Sequence, residues 1–233
     1  MVDEARRPGR GEQAVNGRRE VVIEGDERLA GLLELPESGA AIGGVVVAHP
    51  HPLHGGTMHQ PVVHHVARAC RRRGLASLRF DFRGVGGSSG RYSGTDEYRD
   101  IRVAADFLRE ELGDGLPVFL AGYSFGAVMS ALAVIDGEPA QALGLIAFPV
   151  DWDEFMPGFF GRLGEYPGAV FSLCGENDSI APPVQVQAFL RGVGVEATMV
   201  VVPGVDHLFV GKGEEVGAPV ARFFAEEAGH AAG

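Results

Sequence analysis

The sequence predicts an α/β protein with a mostly parallel central sheet and helices on both of its faces. Three observations predict it. Short, continuously apolar runs at 43–48, 142–148 and 169–174 read as strands buried on both faces. Segments of helical period separate them. A serine stands between a strand-like run, 117–121, and a helix-like run, 127–134, inside Gly122-Tyr123-Ser124-Phe125-Gly126. The 233 residues suffice for one domain with a large core. At 45% hydrophobic and 22% charged, the balance is that of an ordinary globular chain.

Residues 1–19 are polar, lack the apolar stretch of a signal peptide, and read as a disordered tail. Residues 20–24 and 29–35 read as two strands close enough in sequence to pair antiparallel at a sheet edge. The Val-rich run 43–48 is a buried strand. Residues 61–73 form a helix with Val62, Val63, Val66, Ala69 and Cys70 on one face, basic residues in its last turn, and Gly74 as its stop. Residues 76–82 are the next strand. Thr95 or Asp96 caps a helix reaching about Leu112, with Ile101, Ala104, Ala105 and Leu108 on its inner side. The strand 117–121 and the helix after Ser124 follow, then strands at 142–148 and 169–174. A helix at 182–191 begins with proline in its first turn. A strand at 197–202 and a helix at 214–228 close the chain. Residues 20–233 therefore form a single domain.

The formal net charge of −11 argues against nucleic acid and anionic membrane surfaces as partners. No run of 18 apolar residues exists, so no membrane span is expected. The two cysteines, Cys70 and Cys174, make no C-x-x-C pair. Read as buried free thiols, they fit a reducing, cytoplasmic compartment. A homodimer is compatible with the sequence.

A serine on a tight strand-to-helix turn is held in a strained, exposed position, with the helix N-terminus offering N–H groups to an oxyanion. Such a nucleophile needs a base, and the base needs a carboxylate. Each partner is expected beyond the C-terminal end of a strand. The strand 169–174 leads into Gly175-Glu176-Asn177-Asp178, where Asp178 is the natural acid and Glu176 its rival. The strand 197–202 leads into Pro203-Gly204-Val205-Asp206-His207, where His207 is the natural base and Asp206 faces elsewhere. Two N–H donors are needed for the oxyanion. One is the amide of Phe125; the other lies in His49-Pro50-His51-Pro52-Leu53, where the prolines cannot donate. His51 is the expected donor, with Leu53 as the fallback.

Six histidines fall between His49 and His65, but their spacing matches no zinc template, and no metal or cofactor is expected. The run from Arg79 to Gly90 has neither the third glycine of a dinucleotide fingerprint nor the lysine of a phosphate loop. Asp81 and Arg83 are expected to brace the serine loop as an ion pair. The aromatic stretch 151–167 either lines a substrate pocket, through Trp152, Phe155 and Phe159, or packs on the core as a surface loop.

The chain resembles the α/β-hydrolase superfamily. Within it, the chain is similar to the small, cap-less bacterial group related to dienelactone hydrolases and simple serine esterases. The resemblance rests on Ala48-His49-Pro50-His51-Pro52, Gly55-Gly56-Thr57-Met58, Phe82-Arg83-Gly84-Val85-Gly86-Gly87-Ser88, the serine motif, Asp178 and Asp206-His207. It implies Ser124 as nucleophile, His207 as base and Asp178 as acid, in cofactor-free hydrolysis through an acyl-enzyme. Dienelactone hydrolases proper carry cysteine where this chain has Ser124, so their lactone substrate does not transfer. The expectation is a serine hydrolase acting on small carboxylic esters. A thioesterase or peptidase with the same triad, or a non-catalytic binding module on the same fold, are the alternatives.

Overall fold

The structure, a computed structural model, describes residues 17–151 and 158–231 apart from the Phe159 side chain. Its strands are β1 (Arg18–Ile23), β2 (Leu29–Glu34), β3 (Gly43–Ala48), β4 (Leu75–Phe80), β5 (Val118–Tyr123), β6 (Ala142–Ile146), β7 (Ala169–Gly175) and β8 (Ala197–Val202). Its helices are α1 (Pro61–Arg72), α2 (Glu97–Leu112), α3 (Phe125–Ile135), α4 (Pro183–Gly192) and α5 (Gly213–Ala231). The strands form one sheet in the order β1-β2-β4-β3-β5-β6-β7-β8. β1 and β2 are antiparallel at one edge, as the sequence suggested, and β2 also runs antiparallel to β4. From β4 to β8 every pairing is parallel.

The order of the strands positions the site. From β3 the chain crosses one way to β4; from β5 onward it crosses the other way, through β6 and β7 to β8. Right-handed crossovers then put α1 on one face and α2 and α3 on the other. The helix α5 returns to pack on α1. Between β3 and β5 the crossovers diverge and leave a crevice at the C-terminal strand ends, where open α/β sheets bind ligands. β3, β4 and β5 are buried along their whole length; β3 and β5 read as continuous apolar runs, whereas β4 carries the buried Ser77 and Arg79. Phe119 of β5 stacks on Phe224 of α5 with ring centroids 5.1 Å apart. Each fully buried side chain of this size contributes about 1.5–3 kcal/mol.

Several element ends differ from expectation, each for a local reason. Arg18 and Arg19, expected in the tail, pair with Glu34 and Leu33 in β1; the remainder of that tail, 1–16, lies outside the described residues. β4 stops at Phe80, not Phe82, because the Phe82 N–H donates to His49 Nε2 at 3.1 Å. β6 stops at Ile146: Ala147 turns to a φ of 49° and its N–H bonds the Leu173 carbonyl at 2.7 Å. Neither Thr95 nor Asp96 caps α2 with its side chain. Ser93 Oγ accepts from the Thr95 and Asp96 amides at 3.2 and 2.8 Å, and the buried Glu97 carboxylate accepts the Ser93 N–H at 2.6 Å. Gly74 does end α1, at a φ of +83° that only glycine adopts freely. Cys70 and Cys174 are free and buried, and burial pushes both thiols up to about 12. No described helix is long and apolar enough to cross a membrane.

Candidate active site

Ser124 sits between β5 and α3 with φ 54° and ψ −115°, a conformation that costs a non-glycine residue about 1–3 kcal/mol. Its flanking glycines are required by close approach. A Cβ on Gly122 would lie 2.1 Å from the Gly126 carbonyl oxygen, and one on Gly126 would lie 2.5 Å from that of Ala48. The turn therefore folds back on itself and seats the first turn of α3 against the end of β3. The Ser124 N–H is tied to the Ile146 carbonyl at 2.8 Å, and the Ser124 carbonyl accepts the first bonds of α3, from Ala127 and Val128.

The structure brings Ser124, His207 and Asp178 together. His207 Nε2 lies 2.9 Å from Ser124 Oγ, and His207 Nδ1 lies 2.8 and 3.0 Å from the Asp178 carboxylate oxygens. Asp178 Oδ1 also accepts the Ile180 and Ala181 amides at 2.9 and 2.8 Å. Burial pushes the Asp178 carboxyl up, but hydrogen bonds from His207 and those two amides outweigh it, and the group ends below its ordinary value. An ionised Asp178 can only accept, so Nδ1 of His207 carries the proton and Nε2 is left to accept from the Ser124 hydroxyl. Glu176, the rival acid, instead accepts the Gly204 amide at 2.7 Å. Asp206 turns away, as expected, and accepts the Leu208 amide at 3.0 Å.

Phe125 is the first residue of α3, and His51 faces it with ring centroids 5.1 Å apart. Leu53, the fallback donor, uses its N–H on His51 Nδ1 at 3.2 Å. That bond leaves Nε2 of His51 as the protonated nitrogen, facing the Tyr92 hydroxyl at 3.0 Å. The loop carrying His51 is pinned at both ends. At one end His49, fully buried, donates from Nδ1 to the Pro50 carbonyl at 2.7 Å and accepts the Phe82 amide at Nε2. Burial holds this imidazole neutral, down to about 4, although the Pro50 bond opposes that shift. At the other end the Met58 backbone is held at both its N–H and its carbonyl. Asp81 accepts its N–H at 2.7 Å, and Arg79 donates to its carbonyl at 2.8 Å. Arg79 is itself buried against Glu34 at 2.8 Å.

The expected Asp81–Arg83 pair does not form. Arg83 makes a fork on Asp100, with Nη2 at 2.6 Å and Nε at 3.0 and 3.1 Å, while Asp81 holds Met58. Residues two apart on an extended segment share a face only while the strand lasts, and the strand ends at Phe80. Trp152 and Phe155 lie outside the described residues, as does the Phe159 side chain. Among the described residues no three His, Cys, Asp or Glu side chains gather as a metal site.

Sequence reasoning missed Tyr123. Its hydroxyl donates to the His207 backbone carbonyl at 2.7 Å, and its ring lies 5.8 Å from the imidazole. Burial, and then the charges of Asp178 and Asp206, push this phenol up, so it remains a donor. The signal was available: a tyrosine buried at the end of an apolar strand needs a partner for its hydroxyl.

A cavity of about 800 Å3 opens at these groups. Ser124, Phe125, His51 and His207 all line it. A hydroxyl, an imidazole and an ionised carboxylate in sequence at hydrogen-bond distance can generate a nucleophile at neutral pH. A solved α/β serine hydrolase homologue from Coxiella burnetii superposes with a TM-score of 0.79 at 31% identity, over 88% of this chain and 96% of that one. The chain belongs to the α/β-hydrolase superfamily. This hydrolase also resembles XC6422 from Xanthomonas campestris, described as an α/β serine hydrolase without a lid (TM-score 0.74, 27% identity, 95% and 96% covered). It is 31% identical over 176 residues to the uncharacterized protein RP471 of Rickettsia prowazekii, covering 73% of each chain. Residues 45–157 match the family Hydrolase_4, described as serine aminopeptidase, S33. In this hydrolase the connection 147–168 between β6 and β7 is too short to hold a cap domain.

Proposed function

We propose that this hydrolase cleaves carboxylic esters through an acyl-enzyme on Ser124. Ser124 Oγ attacks the ester carbonyl while His207 Nε2 takes its proton. Asp178 holds the Nδ1–H tautomer and stabilises the imidazolium. The backbone N–H groups of Phe125 and His51 receive the oxyanion of the tetrahedral intermediate, with the positive end of α3 behind it. His207 then protonates the leaving alkoxide, and water, activated by the same imidazole, releases the acid and restores Ser124. No step calls for a cofactor.

The observation that carries this reading is the unbroken line of hydrogen bonds from Ser124 Oγ through His207 to Asp178, at 2.9 and 2.8 Å. Labelling with a fluorophosphonate, followed by mass spectrometry of the modified peptide, tests it. Stoichiometric modification of Ser124 is expected in the wild type, with none in Ser124→Ala or His207→Ala. Folded wild-type protein that stays unlabelled refutes the triad and favours a binding module.

The aminopeptidase description of the matched family raises amide cleavage as a second reading. An amine is a far poorer leaving group than an alkoxide. Binding its free α-amino group calls for a carboxylate in the cavity; of the three that line it, Glu214 pairs with Arg72 at 3.3 Å and Glu215 with Lys212 at 3.0 Å, which leaves Asp151 for that role. Matched p-nitrophenyl ester and aminoacyl p-nitroanilide substrates separate the two readings, and the ester is expected to be the one turned over.

A further inference from the structure

We propose that an apolar collar of Ile180, Leu208 and Val210 binds the acyl group of the substrate, so that this hydrolase prefers esters of uncharged acids longer than butanoic acid. The inference rests on the ester-hydrolase reading above and names the substrate class for that site. The three side chains are 50%, 63% and 79% exposed, yet all line the cavity that holds Ser124 and His207. A single exposed aliphatic residue is ordinary. Three around the mouth of one cavity, beside a nucleophile, form the kind of apolar surface that marks a binding site.

Two residues of the collar have their backbone fixed by carboxylates, one of them the Asp178 that faces His207. The Ile180 N–H is bound by Asp178 Oδ1 at 2.9 Å, and the Leu208 N–H by Asp206 Oδ1 at 3.0 Å. Val210 follows Phe209, whose φ of 51° turns the chain outward. These bonds hold the backbone of Ile180 and Leu208 at the rim of the cavity, so their side chains project from fixed points beside the triad. Deeper in the same cavity, the buried side chains of Val62, Phe125 and Phe209 continue it.

Charge selects among the occupants. Asp151 also lines the cavity, beside the ion-paired Glu214 and Glu215, and the chain carries a net charge of −11. Both oppose an anionic lipid surface, a second copy of this chain, and an acyl group ending in a carboxylate. An uncharged alkyl chain lying from the serine to the collar meets no such penalty.

The test is a series of p-nitrophenyl esters, from acetate through butanoate and hexanoate to octanoate. The value of kcat/KM is expected to rise about two- to fourfold per methylene as far as hexanoate, the gain for partly to fully buried CH2 groups. In the double variant Ile180→Ser, Val210→Ser the hexanoate-to-acetate ratio is expected to fall about tenfold. The p-nitrophenyl monoester of adipic acid should run about tenfold below hexanoate, the effect of one partly screened charge repulsion. A flat or falling series, or an unchanged ratio in the double variant, overturns the collar. Calorimetric binding of the hexanoate and acetate esters to Ser124→Ala reads the collar without turnover. Tighter binding of hexanoate there upholds the proposal even if the wild type hydrolyses no ester, whereas equal binding overturns it. Light scattering that shows a dimer lost in the double variant also overturns it, by assigning the collar to a second copy.

Discussion

Tyr123 shows how much one hydroxyl does in this site. It is the residue before the serine, and it reaches across to the backbone of the residue that bonds the serine. The bond fixes the distance between the elbow and the loop after β8, two segments that come from different strands. Tyr123→Phe removes the bond without changing the ring. Stability should fall by about 0.5–1.5 kcal/mol, the value of one hydrogen bond, plus some penalty for the buried carbonyl left behind. The kcat for ester hydrolysis should fall about tenfold with KM nearly unchanged, because the imidazole shifts while the cavity walls do not. Equal loss of kcat and gain in KM, or no change in either, would remove Tyr123 from a positioning role. The three side chains that the structure brings together, Ser124, His207 and Asp178, were legible in the sequence because each follows a strand whose apolar run is unmistakable. Choosing Asp178 over Glu176 was also legible, but only the fold shows why. Glu176 is occupied by the Gly204 amide, and Asp178 gathers two amides as well as His207.

At the scale of elements, the sequence announced strands and helices through their periodicities and left their ends open. Ends are set by partners distant in sequence. Phe82 leaves β4 for the His49 ring, and the cap of α2 comes from Ser93, four residues before Glu97 and one residue off the usual capping-box spacing. The same reasoning explains the Asp81–Arg83 pair that does not form. Both side chains find better partners, Met58 and Asp100, on segments the sequence could not bring together. The elbow is the exception, since its glycines state their own geometry. Gly126→Ala would drive a methyl group into the Ala48 and His49 carbonyls, at 2.5 and 2.7 Å, and lift α3 off the loop that carries His51. A loss of about 1–3 kcal/mol in urea unfolding is expected, with a roughly hundredfold drop in kcat from misplacement of the serine against that loop. Gly192→Ala, at the end of α4 with nothing within 4 Å of the added methyl, is the control and should be neutral or slightly stabilising.

For the whole molecule, acid stability follows from a histidine that takes no part in the chemistry. His49 is buried as the neutral imidazole with a folded pKa of about 4, against an ordinary 6.5. Between those values the unfolded chain binds a proton that the folded chain refuses. Stability from this group is therefore fully present above pH 6.5 and is lost as pH falls toward 4, by on the order of 3 kcal/mol. His51 and His64 lean the same way, chiefly through burial. Asp178, held low, adds a loss of the same sign at still lower pH. Asp81 and Asp100 act in the opposite sense: burial raises both, so their contribution is present in acid and fades as pH rises. Their window opens at the ordinary carboxylate value and runs upward, so they offset part of the loss that His49 causes. Urea midpoints measured from pH 7 to pH 5 should therefore fall steadily in the wild type. In His49→Gln, which cannot be protonated, the midpoint at pH 7 should be lower but the fall much shallower, leaving what His51 and His64 contribute less the offset from Asp81 and Asp100. A wild-type midpoint that stays level to pH 5 would mean that the imidazole is protonated in the folded state. The pin between the two loops would then have to be made by a charged ring that donates at both nitrogens, which the Phe82 N–H does not allow.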